Sequence, residues 1–334
     1  MISTLPARAD ALARVAVRAP GRLHLGFLDP AGTLGRRFGS LGLVIDGFET
    51  ELELGFAEHD SASADSDDGQ AELGRALEHL RLLRERSGHD APLALRLMRV
   101  LPPHAGFGSG TQLALALGRA FARLHALELT TPQLAAWLGR GRRSGIGIAG
   151  FDAGGLIVDG GPGRDGAPAP VLARLALPAA WRVIVVRHPG RRGLSGDEEK
   201  RAIAALPPLP LEGAAELCHQ VLMRVLPGAA GDDFTAFAAG LNRVQDLLGG
   251  HFAPAQDGSA YTSAEVGRLL QWIRSEAGDA AAVGQSSWGP TGFAILPSAA
   301  AAARLLDAAL AAGVVSPALA ITTVAARAHG ARVA

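Results

Sequence analysis

The chain has 334 residues, of which 48% are hydrophobic and 19% charged, so it can bury a sizeable core over about two domains. Its formal net charge of zero argues against a general nucleic-acid-binding protein, because such proteins present strongly basic surfaces. The single cysteine excludes an internal disulfide, and no cysteine–histidine cluster has the spacing of a structural zinc site.

The sequence predicts neither a signal peptide nor a membrane span. The N-terminus lacks the apolar core of a signal peptide. The most apolar tract, residues 294–315, is mostly alanine and is interrupted by Pro297, Arg304 and Asp307, which is typical of a helix in a soluble protein. We therefore expect a cytoplasmic enzyme.

The first hundred residues are predicted to form mainly strands. These strands are predicted at residues 15–19, 22–28, 41–46, 49–57 and 93–100. A turn at residues 20–21, an acidic loop at 58–70 and a helix at 71–87 separate them. In the second strand, alternation places Arg22 and His24 on one face, where they either meet solvent or face a ligand.

A glycine-rich loop between a strand and a helix is the most informative stretch. The loop contains Gly106, Gly108 and Gly110, with Ser109 and Thr111 between the glycines, and an apolar face over residues 113–124 predicts the helix. Glycine lets backbone N–H groups approach a ligand, and a helix N-terminus adds unpaired donors, so the loop suits a phosphate or pyrophosphate. The alternative is a turn that caps a core helix.

The loop differs from two common nucleotide-binding motifs. It is not a Walker A loop, because no Lys-Ser or Lys-Thr pair follows the glycines and the chain's one lysine is Lys200. The glycine spacing also departs from the dinucleotide-binding fingerprint.

Residues 139–161 form a second informative stretch. Arginines beside glycines form either a solvated basic patch or an anion site, in which a phosphate or carboxylate would bind Arg142 or Arg143. Asp152 and Asp159 bracket a short predicted strand, and each is either a turn former or a functional carboxylate.

The second half is predicted to be mainly helical. Its helices are predicted at residues 211–226, 232–248, 263–275 and 298–312, and its strands at 181–187 and 318–324. A polar turn with Gln285, Ser286 and Ser287 precedes an apolar run and is either a tight hairpin or a third part of the site.

Several of these stretches resemble known motifs. Pro102, Gly106, Phe107, Gly108 and Ser109 resemble the second motif of the GHMP kinase superfamily, whereas residues 110–112 depart from it. Taken together, the chain resembles the β-ribofuranosylaminobenzene 5′-phosphate synthases over about residues 15–325. The stretches that carry this resemblance are residues 22–26, 106–112, 142–147, 154–161 and 284–291.

The resemblance implies an α+β, two-domain GHMP-kinase-like fold. Residues 1–178 would form a ribosomal-S5-domain-2-like half with the phosphate loop, and residues 179–334 a ferredoxin-like α/β half. It also implies a homodimer, Mg²⁺, and a reaction of 5-phosphoribosyl 1-pyrophosphate with 4-aminobenzoate, or a relative such as 4-hydroxybenzoate. That reaction releases CO2 and pyrophosphate on the way to methanopterin-type carriers, and it needs no protein nucleophile.

The site residues follow from the same stretches. We assign catalytic roles to Asp152 and Arg142, and we expect Asp152 to hold Mg²⁺ or the ribose hydroxyls. The residues expected to bind substrate are Arg22, His24, Gly106, Gly108, Ser109, Gly110, Thr111, Gln112, Arg143, Ser144, Gln285, Ser286 and Ser287. The metal ligands are not identified. Two alternatives are an ATP-dependent small-molecule kinase, with Asp152 as its base, and a non-catalytic ligand-binding regulator.

Overall fold

The chain forms two β-sheets with helices packed against them. The structure is a computed structural model that describes residues 13–163, 166–193 and 196–334. The first sheet contains seven strands: β1 (Arg14–Asp29), β2 (Phe38–Phe56), β3 (Ser61–Ala64), β4 (Leu93–Arg99), β5 (Leu156–Asp159), β6 (Val171–Leu175) and β11 (Arg332–Val333). The second contains four: β7 (Arg182–Arg187), β8 (Ala282–Gln285), β9 (Thr291–Leu296) and β10 (Ala320–Val324).

The order of the strands separates the halves of the chain. In the first sheet the order is β11-β1-β2-β4-β3, and β5 pairs with both β2 and β6. In the second it is β10-β7-β9-β8, with every pair antiparallel. The chain leaves the first sheet between β6 and β7, where the boundary at residues 178–179 is predicted, but β11 returns to pair with β1. The boundary itself stays a prediction.

Ten α-helices complete the described fold. They are α1 (Asp67–Ser87), α2 (Ser109–Leu124), α3 (Thr131–Trp137), α4 (Ile146–Ala153), α5 (Gly196–Ala205), α6 (Leu211–Gln220), α7 (Leu226–Ala230), α8 (Phe234–Phe252), α9 (Ala264–Ala277) and α10 (Ala299–Ala311). A π-helical turn (Val221–Val225) joins α6 to α7, and short 3₁₀ turns lie at Ala253–Ala255 and Gly278–Ala280. Within the described residues, no helix is long and apolar enough to cross a membrane.

Two local predictions in the first sheet are wrong. The turn expected at residues 20–21 is part of β1, which continues through a register shift between Pro20 and Arg22. Such an irregularity accommodates proline, which has no N–H to donate to the ladder. The acidic loop expected at 58–70 contains β3, and α1 starts within it, capped by the Ser66 side chain, which accepts from the Gly69 N–H.

The two halves share one hydrophobic core. A cluster of buried side chains joins strands of the first sheet, such as Leu23 and Leu41, to Val183 and Phe293 of the second sheet. A separate cluster packs α1 and α2 against the first sheet. The shared cluster fixes the position of one sheet relative to the other, which matters because functional side chains come from both.

Phe107 attaches the glycine loop to this shared core. Its side chain is fully buried, and its ring stacks on Phe48 with 4.5 Å between centroids and 15° between planes. Its carbonyl accepts a hydrogen bond from the Arg22 N–H at 3.1 Å. The loop is thus fixed by an apolar anchor in its middle as well as by the helix that follows.

We predict that Phe107→Ala destabilises the protein by about 3–5 kcal/mol, because it leaves a cavity beneath the loop. Phe107→Leu keeps most of the apolar volume and should cost less than about 1.5 kcal/mol. Urea unfolding with an unchanged m-value measures both. Equal losses for the two variants would show that Phe107 is not a packing anchor.

Candidate active site

The glycine loop turns sharply into α2 and closes around Arg22. Gly106 and Gly108 both have positive φ, +91° and +76°, and the Gly108 carbonyl accepts from the N–H groups of Thr111 and Gln112. A Cβ on Gly108 would lie 3.0 Å from Cζ of Arg22, whose Nη1 donates to the Gly106 carbonyl at 2.7 Å. By helix geometry, the first amides of α2 point out of its N-terminus, as an anion site requires.

The turn between β8 and β9 packs directly against this loop. The buried Ser286 hydroxyl donates to the Gly106 carbonyl at 2.8 Å and accepts from the His24 N–H at 2.9 Å. The Ser287 N–H donates to the His24 carbonyl at 3.1 Å, with Ser287 at a φ of +55°. The turn is thus both a tight hairpin and part of the site.

Arginines surround two adjoining cavities above the N-terminus of α2, which together form the cationic cleft. One cavity has a volume of about 390 Å³ and the other about 370 Å³. Residues shared by both cavities are Arg22, Thr111, Arg140, Arg143 and Ser287. Predicted residues that line one of the two are His24, Gly106, Gly108, Ser109, Gly110, Arg142 and Ser144. Arg75, from α1, also faces the cleft.

The side chains of the cleft suit anions better than a metal ion. Among the described residues that line it, none is an aspartate or glutamate; Glu72 lies behind Arg75 and pairs with it at 2.8 Å. The described chain also contains no group of three or more His, Cys, Asp and Glu side chains that could hold a metal. Mg²⁺ prefers carboxylate and other oxygen ligands, so these lining side chains do not fit a metal held by the protein itself.

Asp159 orders the segment that leads into α4. Its carboxylate accepts from the Ser144 hydroxyl at 3.1 Å and from the N–H groups of Gly145 and Gly161, both at 2.8 Å. The side chain is fully buried, and burial raises the pKa of this carboxyl. Asp159 therefore fixes Ser144 and Gly145, which follow Arg143, and does not itself line the cleft.

A third cavity, the aromatic cavity, adjoins the cationic cleft. Its volume is about 450 Å³. Its apolar and aromatic walls come from Leu25, Phe27, Leu248, Phe252, Tyr261 and Trp288. Gln285 lines it too, but its side chain is held by neighbours: Nε2 donates to the Ser287 carbonyl at 2.9 Å, and Oε1 accepts from the Thr262 N–H at 2.7 Å.

His24 lies where the cationic cleft meets the aromatic cavity. His24, Phe27 and Ser287 line cavities on both sides of this junction. The imidazole is buried, with 4.5 Å between its centroid and that of Phe27. Burial, followed by the charges of Arg22 and Arg143, lowers the pKa of His24 to about 3. His24 is therefore neutral at physiological pH.

Two predicted site residues lie apart from the rest. The Gln112 side chain is buried between helices, where its Nε2 donates to the Gly147 carbonyl at 2.9 Å. Asp152 is exposed at the far end of α4 and accepts from the Thr131 hydroxyl at 2.5 Å. The structure therefore brings Arg142, but not Asp152, to the cleft.

Sequence reasoning missed Arg75, Arg140 and Trp288 as site residues. Arg140 lies in the arginine-rich stretch, next to the assigned Arg142, and Trp288 follows the assigned serines, so adjacency was an available signal for both. Arg75 reaches the cleft from α1, and the helical pattern of its own segment gives no hint of this.

The fold defines the class of protein. Residues 74–155 match the GHMP kinases N terminal domain family, and residues 225–315 match the GHMP kinases C terminal family. A phosphomevalonate kinase from Streptococcus pneumoniae shares the fold at a TM-score of 0.68, with 13% identity over 93% of this chain and 98% of that one. The predicted two-domain GHMP kinase fold is confirmed.

Sequence relatives narrow this class. A β-ribofuranosylphenol 5′-phosphate synthase from Archaeoglobus fulgidus is 34% identical over 297 residues, which cover 84% of this chain and 88% of that protein. A protein of the same name from Methanothermobacter thermautotrophicus is 32% identical over 247 residues, 69% of this chain and 74% of that protein. The chain belongs to the β-ribofuranosylphenol 5′-phosphate synthase family, which confirms the predicted resemblance.

We predict that Gly108→Ala weakens the binding of inorganic pyrophosphate by roughly threefold to tenfold, because its Cβ would force the Arg22 guanidinium to shift by a few tenths of an ångström. Gly88→Ala is the matched control: Gly88 also has positive φ, +73°, but a Cβ there meets nothing within 4 Å. Both variants should lose about 1–2 kcal/mol of stability from backbone strain. Calorimetric titration with pyrophosphate should show weaker binding for Gly108→Ala than for Gly88→Ala. Equal affinities of the two variants would contradict the assignment of the glycine loop as an anion site.

We also predict a pH effect on stability from His24. Between pH 6.5 and about 3 the unfolded chain binds a proton that the folded His24 does not, so stability falls as the pH falls through this window. The contribution is at most roughly 1.4 kcal/mol per pH unit. Urea unfolding at pH 7, 6 and 5 should give a shallower decline for His24→Gln than for the wild type. Identical slopes would show that His24 is not buried in its neutral form.

Proposed function

We propose that the chain condenses 5-phosphoribosyl 1-pyrophosphate with 4-hydroxybenzoate or 4-aminobenzoate and releases CO2 and pyrophosphate. The names of its relatives specify a phenol joined to a ribofuranosyl 5′-phosphate, and the sequence motifs agree with that chemistry. The product would be a C-riboside 5′-phosphate, which belongs on the way to a methanopterin-type carrier.

One observation supports this proposal most strongly: the cationic cleft and the aromatic cavity are neighbours that share His24, Phe27 and Ser287 in their linings. The donor carries a 5′-phosphate and a pyrophosphate, and the acceptor is an aromatic ring. A site for their union needs an anion-binding part and an aromatic part that share an edge. The two substrates would meet at this junction.

The reaction itself balances without a protein nucleophile. The ring carbon that bears the carboxylate forms a bond to C1 of the ribose, and the bond between C1 and pyrophosphate breaks with its electron pair on the leaving oxygen. The bond between the ring and the carboxylate then breaks, and its electron pair restores the aromatic ring as CO2 leaves.

The described side chains serve this reaction by electrostatics and positioning. Arg22, Arg140 and Arg143, with the first amides of α2, would hold the pyrophosphate and stabilise the charge that develops as it departs. Phe27 and Trp288 would hold the acceptor ring and exclude water from C1. His24, neutral between the two parts, adds no further positive charge beside an electron-poor C1.

The sequence-based predictions about Mg²⁺ and Asp152 are changed in this proposal. Mg²⁺ is proposed only as an ion that accompanies the donor's pyrophosphate, because the described lining residues offer no carboxylate to hold it. Asp152 is not proposed to contact substrate, since its carboxylate bonds to Thr131 outside the cleft. A homodimer is kept as a proposal from the resemblance, and a cytoplasmic location as a proposal from the sequence.

The competing function is that of an ATP-dependent kinase, which the fold also supports. A kinase of this class would need a group to orient or deprotonate the attacking hydroxyl. Asp152, the sequence-based candidate for that base, lies away from the cleft. The arrangement of the described side chains therefore favours the synthase.

The test is an assay for CO2. Purified protein would be incubated with 5-phosphoribosyl 1-pyrophosphate and carboxyl-labelled 4-hydroxybenzoate, and in parallel with carboxyl-labelled 4-aminobenzoate. We expect labelled CO2 and an equal amount of pyrophosphate from at least one acid, and the ratio of kcat/KM values identifies the preferred acceptor. ATP-dependent phosphorylation of a small alcohol without CO2 would favour the kinase. Ligand binding without turnover would favour the regulator.

A further inference from the structure

Arg140 is held in the cationic cleft by a histidine and not by a carboxylate. Its Nη2 lies 3.1 Å from Nε2 of His79, which projects from α1 and is 4% exposed. An arginine guanidinium can only donate, so the His79 Nε2 must accept, and the ring is neutral with its proton on Nδ1. Burial, with the charges of Arg140 and Arg75, also lowers the pKa of His79 to about 4.

Arg140 forms no ion pair with the described residues, although the charge of Glu72 acts on it at longer range. None of the described carboxylates lies within 4 Å of its guanidinium, and the nearby Glu72 pairs with Arg75 instead. Arg140 and Arg75 nevertheless lie close together. A Cβ added to Gly110 would be 3.5 Å from Nη1 of Arg140 and 3.7 Å from Nη1 of Arg75. Two like charges held together beside a helix N-terminus are stabilised by an anion placed between them.

We propose that His79 is a positioning residue that fixes Arg140 through a neutral hydrogen bond and thereby leaves its full positive charge for a bound diphosphate. A carboxylate at position 79 would orient the guanidinium equally well but would neutralise it. An apolar side chain would leave the charge but release the guanidinium. Identification of the anion as the donor's pyrophosphate rests on the proposed function, whereas the pairing of His79 with Arg140 does not.

The experiment compares three variants by the Kd of inorganic pyrophosphate, measured calorimetrically at fixed ionic strength. In His79→Gln, Oε1 replaces the Nε2 acceptor without charge, and affinity should stay within about threefold of wild type. His79→Leu removes the acceptor and His79→Glu adds a negative charge, so both should bind at least about tenfold more weakly. Equal affinity for the Gln and Glu variants, or wild-type affinity for the Leu variant, would overturn the proposal.

A second background separates positioning from a general structural effect. In Arg140→Ala, the residue that His79 positions is gone, so His79→Leu should cause no further loss of pyrophosphate affinity. A further loss of the same size as in the wild-type background would show that His79 acts through the fold, and it would overturn the proposal. Urea unfolding of each variant confirms that the proteins compared are folded.

The kinetic prediction depends on the proposed function and is read separately. If the chain releases CO2 as proposed, His79→Glu should raise the KM for 5-phosphoribosyl 1-pyrophosphate and leave the KM for the aromatic acid within about twofold of wild type. If no CO2 is released but pyrophosphate affinity follows the expected order of variants, the positioning role holds and only the function fails. If CO2 is released and affinity does not follow that order, the positioning role fails.

Discussion

The hydroxyl of Ser286 joins three segments that are far apart in sequence. It donates to the Gly106 carbonyl and accepts from the His24 N–H, so one buried group links the glycine loop, strand β1 and the β8–β9 turn. A buried hydroxyl whose donor and acceptor roles are both used is costly to remove, because its partners would lose their hydrogen bonds. Since β1 and the turn belong to different sheets, the site exists only when both sheets are packed together.

Like charges repel one another in the cationic cleft. Arg75 and Arg140 lie side by side, and Arg22 and Arg143 are close enough to His24 to depress its pKa. Burial of charged groups disfavours them further. The shared hydrophobic core holds these charged side chains together although they repel one another. A bound polyanion would reduce that repulsion. The clustered arginines therefore lower the stability of the fold while they raise its affinity for anions.

The sequence predicted local structure well and residue placement less well. The glycine loop and α2 were predictable, because glycine spacing and a helical apolar face are local signals. β3 was missed because it is short and polar. Gln112 was assigned because it ends the glycine-loop motif at residues 106–112, yet α2 turns its side chain toward α4. Asp152 lies about 9 Å along the helix axis from Ile146, where α4 begins. Arg75 arrives by tertiary packing of α1, which no local pattern reveals.

A phosphate loop alone does not distinguish a kinase from a synthase, because helix amides and arginines bind any polyanion. The distinguishing features are what lies beside the loop. A phosphoryl transfer enzyme must guide a nucleophilic hydroxyl, which favours a carboxylate near the phosphates. Here no described carboxylate lines the cationic cleft itself, and the adjoining aromatic cavity contributes Phe27, Phe252 and Trp288 together with the carboxylate of Asp246. A neutral His24 occupies the boundary. Such surroundings are consistent with the proposed aromatic nucleophile, whose own ring electrons would form the new bond and which would need position and charge from the protein more than a base.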